Sequence, residues 1–265
     1  MPATPRILCV ANQKGGVGKT TTAISLGAAL AQRGLSVLVI DLDPQGNAST
    51  GLGLDRTQRD RSVYDVLLGD APVSSVARPT QVERLRIVPA TTDLSSADAE
   101  LLASKRRVMH LRSALLRDEL EADYVLIDCP PSLSLLTVNA LVASDAVLVP
   151  LQAEFFALEG LSQLVRTVKD VRAAANPKLR LDGVVLTMFD ARNNICRQVE
   201  EDVRATLGDL VFRTRIPRNV RLSEAPSYGM PIQAFDSTSR GAVAYRALAG
   251  ELLRRHTAEP EAAIA

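Results

Sequence analysis

This 265-residue chain has no tryptophan, only five phenylalanines and four tyrosines, so aromatics make up 3% of it. That argues against a binder of single-stranded nucleic acid, which stacks bases on exposed rings. The tyrosines, Tyr64, Tyr124, Tyr228 and Tyr245, read as packing residues. The two histidines, His110 and His256, lie far apart on segments read as helix surfaces, and supply neither a metal site nor a nucleophile's base. The three cysteines, Cys9, Cys129 and Cys196, form no C-x-x-C pair, which leaves zinc and cluster sites within one chain without support. Two of them sit in apolar runs, where buried thiols are common. No apolar stretch approaches the ~20 residues that span a bilayer. The first residues, Met-Pro-Ala-Thr-Pro-Arg, lack the charged and apolar regions of a signal peptide. The net charge is +1, so any basic surface must be local. Together these absences predict a cytosolic protein in a reducing compartment.

What remains is ordinary globular composition, 46% hydrophobic and 23% charged, in a chain long enough to bury a full core. Apolar runs at 7–11, 36–40, 85–89, 124–128, 146–151, 181–188 and 211–216 read as strands. Helical patterns fall between them: 23–30, 159–175 (stopped by Asn176-Pro177), 195–207 and a terminal helix over 241–256. Residues 47–80 read as short helices and turns, clearest over 63–68, and 94–120 as a charged helical stretch broken near Ser104. Strand–helix alternation predicts an α/β fold, a single doubly wound and mostly parallel sheet with helices on both faces. With no repeat or linker, residues 6–256 read as one domain, flanked by a short tail at 1–5 and a frayed tail at 257–265.

Between the first strand and first helix stands Lys-Gly-Gly-Val-Gly-Lys-Thr-Thr-Thr at 14–22. A glycine-rich turn in this context brings backbone N–H groups and a helix N-terminus onto phosphate oxygens, making the fold a P-loop nucleoside triphosphatase type. Gly15, Gly16 and Gly18 let the backbone approach, Lys19 reaches the β/γ-phosphates and Thr20 ligates Mg²⁺. The strict pattern wants glycine where Gln13 stands, and here a second lysine, Lys14, fronts the loop. Ligands of such sheets collect at the carboxyl ends of strands. Asp128 ends one strand and, with a P-loop elsewhere in the chain, suits the second shell of the magnesium better than a mere cap before Pro130-Pro131. Asp43 follows another strand and suits orienting the attacking water, against a simple Asp-Pro turn. Asp41 competes for that role, turned to the same side but farther from the loop.

Residues 14–22 resemble the deviant Walker A motif of the ParA/MinD ATPase superfamily, and 41–47 and 128–132 resemble its two switch segments. Residues 150–160, 216–226 and 236–241 resemble chromosomal ParA proteins of the Soj type. The resemblance implies an ATPase that uses ATP and Mg²⁺, with the nucleotide held by the loop from Lys14 through Gly15, Gly16, Val17, Gly18, Lys19, Thr20 and Thr21. It implies a sandwich homodimer formed on ATP binding. In it Lys14 reaches the partner's ATP, and any side chain at Gly16 blocks the close approach of the two loops. It gives Asp43 the promotion of hydrolysis near the metal, Asp128 a place in the second switch, and Pro217 and Asn219 contact with the adenine.

It further implies non-specific double-stranded DNA binding through Arg192 and Arg221, with Arg218 and Arg246 as weaker candidates. From 192 to 246, nine arginines against six carboxylates leave only +3, which a solvated surface also supplies, though arginine's rigid fork suits phosphate. Each neutralised phosphate contributes about −0.9 to the slope of log affinity against log salt, so doubling the contacts in a dimer converts weak binding into firm binding. The implied partner is a ParB-type centromere-binding protein that stimulates hydrolysis, with the protein cytoplasmic and on the nucleoid, segregating a chromosome or plasmid. Two other readings stay open: the same ATPase positioning a protein cargo, and a MinD-like regulator on the membrane. The second needs an amphipathic C-terminal helix, but Glu-Leu-Leu-Arg-Arg-His ends in an Ala/Glu tail without aromatics, so no stable membrane association is expected. About six residues precede the first strand, too few for an operator-binding domain.

Overall fold

The computed structural model describes residues 4–154 and 157–258. Its elements in chain order are β1 (Arg6–Val10), α1 (Lys19–Ala31), β2 (Val37–Asp41), α2 (Asn47–Gly51), α3 (Val63–Leu68), α4 (Val73–Val76), β3 (Arg78–Pro79), β4 (Leu85–Val88), α5 (Leu94–Leu102) and α6 (His110–Arg117). There follow β5 (Tyr124–Asp128), α7 (Leu135–Ala143), β6 (Ala146–Gln152), α8 (Ala157–Ala174), β7 (Arg180–Thr187), α9 (Asn194–Leu207), α10 (Val220–Glu224), α11 (Ile232–Phe235) and α12 (Arg240–Ala258).

The seven strands form one sheet in the order β3-β4-β2-β5-β1-β6-β7, parallel except for the two-residue β3 at one edge. The predicted doubly wound sheet is what the chain builds. Strand residues alternate between two cores, as period-2 geometry requires. Leu8, Val39 and Leu126 pack with α1, α2 and α12 on one face; Cys9, Leu38, Ile40 and Ile127 pack with α3 and α5 to α9 on the other. Because both faces are covered, β2 and β5 are buried at every position. Hydrophobic transfer favours each buried aliphatic side chain by roughly 1.5–3 kcal/mol, which fixes the register of the central strands.

Four expectations are corrected. Residues 211–216 make no strand; they meet β7 through one bridge, Val184 with Val211, and through the N–H groups of Phe212 and Ile216, which donate to the Val184 and Leu186 carbonyls at 2.9 and 2.8 Å. Between those two contacts the N–H groups of Arg213 and Thr214 donate to Glu251 of α12, at 2.7 and 2.9 Å, and this carboxylate interrupts the ladder. His256 is not on the surface: Nε2 meets Asp182 at 2.9 Å and Nδ1 meets the Tyr124 hydroxyl at 2.8 Å, with the side chain buried. His110 is half-buried, spanning the Leu67 carbonyl and the Ser104 hydroxyl. Tyr228 is exposed, with its ring stacked on Phe235 rather than buried. The stretch 94–120 does break, into α5 and α6. The terminal helix runs to Ala258, two residues past the expected boundary, and residues 1–3 and 259–265 of the expected tails lie outside the described residues. No described helix is long and apolar enough to cross a membrane.

Candidate functional site

β1 is central, with β5 on one side and β6 on the other, so the turn leaving its carboxyl end opens over the middle of the sheet. The turn leads into α1, whose N-cap, Gly18, adopts a left-handed φ of 87° and has no side chain to cap the helix. No acidic residue stands in the first turn of α1. The first N–H groups and the positive end of the helix dipole therefore face the loop, an arrangement suited to an anion. Gly16 also takes a positive φ, 74°, and a Cβ built there meets nothing within 4 Å in this chain. Its side is open.

The two loop lysines differ in setting. Lys19 is buried, and its Nζ donates to the Lys14 carbonyl at 3.0 Å. Burial lowers its pKa, opposed chiefly by the neighbouring Asp128 and more weakly by Asp43. Lys14 is exposed, and its Nζ meets Glu154 Oε2 at 2.6 Å. Val17 is fixed from β7, where the buried Thr187 hydroxyl donates to its carbonyl at 2.8 Å. Asn12 fixes the front of the loop, accepting from the Lys14 N–H at 3.0 Å and donating to the Pro150 carbonyl at 2.8 Å.

The acidic residues arrive on β2 and β5. Asp128 is fully buried beside Val10 and Asp41, and neither of its oxygens has a hydrogen-bond partner in the standard geometry. Burial pushes its carboxyl well above the usual range, helped by Asp41 and opposed by the nearby Thr20 hydroxyl and Lys19. Asp43 lies just past β2, nearly buried, and accepts from the Gln45 N–H at 2.9 Å. Asp41 is occupied otherwise: Oδ2 accepts from the Ser49 N–H and hydroxyl at 2.8 and 2.6 Å, and Oδ1 from the Asp43 N–H at 3.2 Å. Of the two rivals, Asp41 holds the loop and Asp43 is the freer carboxylate. Among the described residues no group of three or more His, Cys, Asp or Glu side chains is set to hold a metal.

Beside Gly18 and Thr21 opens a pocket of about 290 Å³, walled on its far side by Ile216, Pro217, Asn219 and Leu222 and floored by Tyr245. The Tyr245 hydroxyl meets Thr22 of α1 at 3.0 Å. Asn219 caps α10, accepting from the Arg221 N–H at 2.9 Å. The structure thus brings together Gly18, Thr21, Pro217 and Asn219, nearly two hundred residues apart.

The four arginines fall into two pairs. Arg192 grips Asp190 with Nε and Nη2, at 3.0 and 2.9 Å, and Arg218 adds its charge; the hydrogen bonds from Arg192 hold the Asp190 carboxyl down to about 2. Arg221 meets Glu224 at 2.9 Å and Asp236 at 3.5 Å, and Arg246 donates to the neighbouring Ser237 carbonyl at 2.8 Å. All four border the loops around α10, but Arg192 and Arg221 are ion-paired within the chain. Sequence reasoning missed Asn12, Glu154, Thr187 and Tyr245. A polar residue closing an apolar strand was the one local sign of Thr187; the others depend on contacts across the fold.

The AAA domain family matches residues 5–181. The chromosome partitioning protein ParA of Caulobacter vibrioides is 57% identical over 258 residues, covering 96% of this chain and 97% of that protein. The sporulation initiation inhibitor protein Soj of Bacillus subtilis is 51% identical, covering 93% of this chain and 98% of its own length. A crystal structure described as cobyrinic acid a,c-diamide synthase of Mycobacterium smegmatis, with bound ADP and magnesium, superposes with a TM-score of 0.83 at 42% identity, covering 96% of each chain. With its loop, its two switch-like acidic segments and these likenesses in hand, the chain belongs to the AAA domain family and to the ParA/MinD superfamily of ATPases.

Proposed function

We propose that this protein is an ATPase that partitions DNA, binding ATP and Mg²⁺ in the loop over β1 and acting as an ATP-controlled dimer. The observation that carries the reading is the convergence of Lys19, Thr20, Asp43 and Asp128 beneath an uncapped helix N-terminus. The loop N–H groups and Lys19 bind the phosphates, the pocket beside Thr21 takes the base against Pro217 and Asn219, and Asp43 orients the attacking water. Two unpartnered oxygens on a buried Asp128, next to the Thr20 hydroxyl, fit a hydrated cation better than a structural aspartate. Thr20, with Asp128 behind it and Asp43 nearby, would hold Mg²⁺. Bound there, the ion neutralises charge developing on the β- and γ-phosphates.

Lys14 and the open side of Gly16 support the dimer. A lysine at the exposed front of the loop contributes little to its own site, and suits a phosphate supplied by a second subunit. Dimerisation doubles the arginines offered to the DNA backbone, which links ATP binding to DNA binding. In this reading the protein works in the cytoplasm on the nucleoid, and a ParB-type centromere-binding partner stimulates hydrolysis and releases it. The test is DNA binding with ATP, with ADP and without nucleotide, across a salt series. Tight binding with ATP alone is the expected result; equal binding in all three states overturns the switch.

A further inference from the structure

The front of the loop is built from β6. Past the end of that strand stands Glu154, whose carboxylate is engaged on both oxygens: Lys14 Nζ holds Oε2 at 2.6 Å and the Gln152 side-chain amide holds Oε1. The lysine is fixed at its other end too, since its N–H donates to Asn12 and Asn12 donates to Pro150 of the same strand. Lys14 is therefore tied to its own chain at both ends of the residue. We infer that Glu154 is a latch that competes with the nucleotide of a second subunit for Lys14, so that pairing must first break this bond.

The inference rests on the proposed role of Lys14 across the dimer. One ammonium group has a short reach, and a carboxylate within hydrogen-bond distance of it would travel with it toward an anionic triphosphate. Like charges at such separations repel, so carboxylate and phosphate cannot share the lysine without loss. The Lys14 side chain is 43% exposed and that of Glu154 48%, so the bond is screened by water. A pair of this kind shifts an equilibrium by up to about fivefold. Two latches open per dimer, however, so the effect enters squared, and a threefold effect per protomer becomes roughly tenfold in the association constant. The latch is thus weak enough for ATP to open, and it biases pairing by roughly tenfold. Glu154→Gln keeps the shape, and its amide oxygen can still accept from Lys14, but the competing charge is gone.

The experiment is sedimentation equilibrium of the full chain with a non-hydrolysable ATP analogue and Mg²⁺, comparing the parent with Glu154→Gln, Glu154→Ala and Lys14→Gln. The latch requires both Glu154 variants to dimerise at roughly tenfold lower concentration than the parent, with the gap shrinking at high salt. Unchanged or weaker association in both variants, with Lys14→Gln unable to dimerise, overturns the latch and leaves the trans role of Lys14 intact. Association of Lys14→Gln at the parent level overturns that role, and the latch with it.

Discussion

Asp41 and Asp128 stand in register on the adjacent parallel strands β2 and β5, two fully buried carboxylates at the same end of the sheet. Burial pushes Asp41 up to about 6, with the hydrogen bonds from Ser49 opposing the rise. An unfolded aspartate titrates near 3.9, so between these values the folded chain binds the extra proton. Asp41 thus costs nothing below about pH 4, and destabilises the fold progressively as pH rises through 6. Between pH 5 and 7.5 the loss from this group is roughly 1 kcal/mol. Urea unfolding of the nucleotide-free protein should show this slope in the parent and a flatter one in Asp41→Asn. Parallel pH profiles would remove Asp41 from the account.

Lys19 and Asp43 divide binding from turnover. Lys19 is buried against the loop carbonyl of Lys14, whereas Asp43 lies just past β2 and accepts one hydrogen bond, from the Gln45 N–H. Lys19→Ala should abolish ATP binding, measured by calorimetry or a fluorescent analogue. Asp43→Ala should bind ATP and dimerise yet stall hydrolysis. An Asp43→Ala protein that turns over at the parent rate shows that another group orients the water.

Gly183 gives a test of packing at the sheet edge. A Cβ there would stand 2.6 Å from the Phe212 ring and 2.7 Å from the Leu210 carbonyl. Backbone on one side and a fully buried ring on the other leave little room to yield. Gly183→Ala should cost about 1–3 kcal/mol and lower Tm by several degrees. A Tm within one degree of the parent means that residues 210–212 move freely away from β7.

The sheet and its loop were legible because their signals are local. Continuous apolar runs fixed the central strands, and residues 14–22 named their own chemistry. The segment 211–216 misled because its apolar pattern is that of a strand, while the partner of its Arg213 and Thr214 N–H groups, Glu251, comes from the last helix. His256 misled for the same reason: Asp182 and Tyr124 that bury it are 74 and 132 residues away. Position along β2 favoured Asp43 over Asp41 only by its nearness to the loop; the hydrogen bonds from Ser49 that commit Asp41 come from outside the strand. The ion pair of Lys14 with Glu154 joins residues 140 apart, so no window of sequence contains both.

Arg192 and Arg221 set the last prediction. Each is ion-paired in the protein, Arg192 to Asp190 and Arg221 to Glu224 and Asp236, so in the proposed role DNA would have to displace carboxylates before its phosphates were held. Exposed pairs of this kind are weak and screened by water, weaker than a favourable arginine–phosphate contact, so displacement is feasible. A dimer carries each arginine twice, and replacing one with alanine should flatten the slope of log affinity against log salt by roughly 1.8. Binding should weaken equally on unrelated DNA sequences, because backbone contacts read no bases. Asp190→Asn should act in the opposite sense, freeing Arg192 and tightening DNA binding at low salt. If Arg192→Ala leaves both affinity and salt slope at parent values, the ion pair with Asp190 is structural, and Arg192 takes no part in holding DNA.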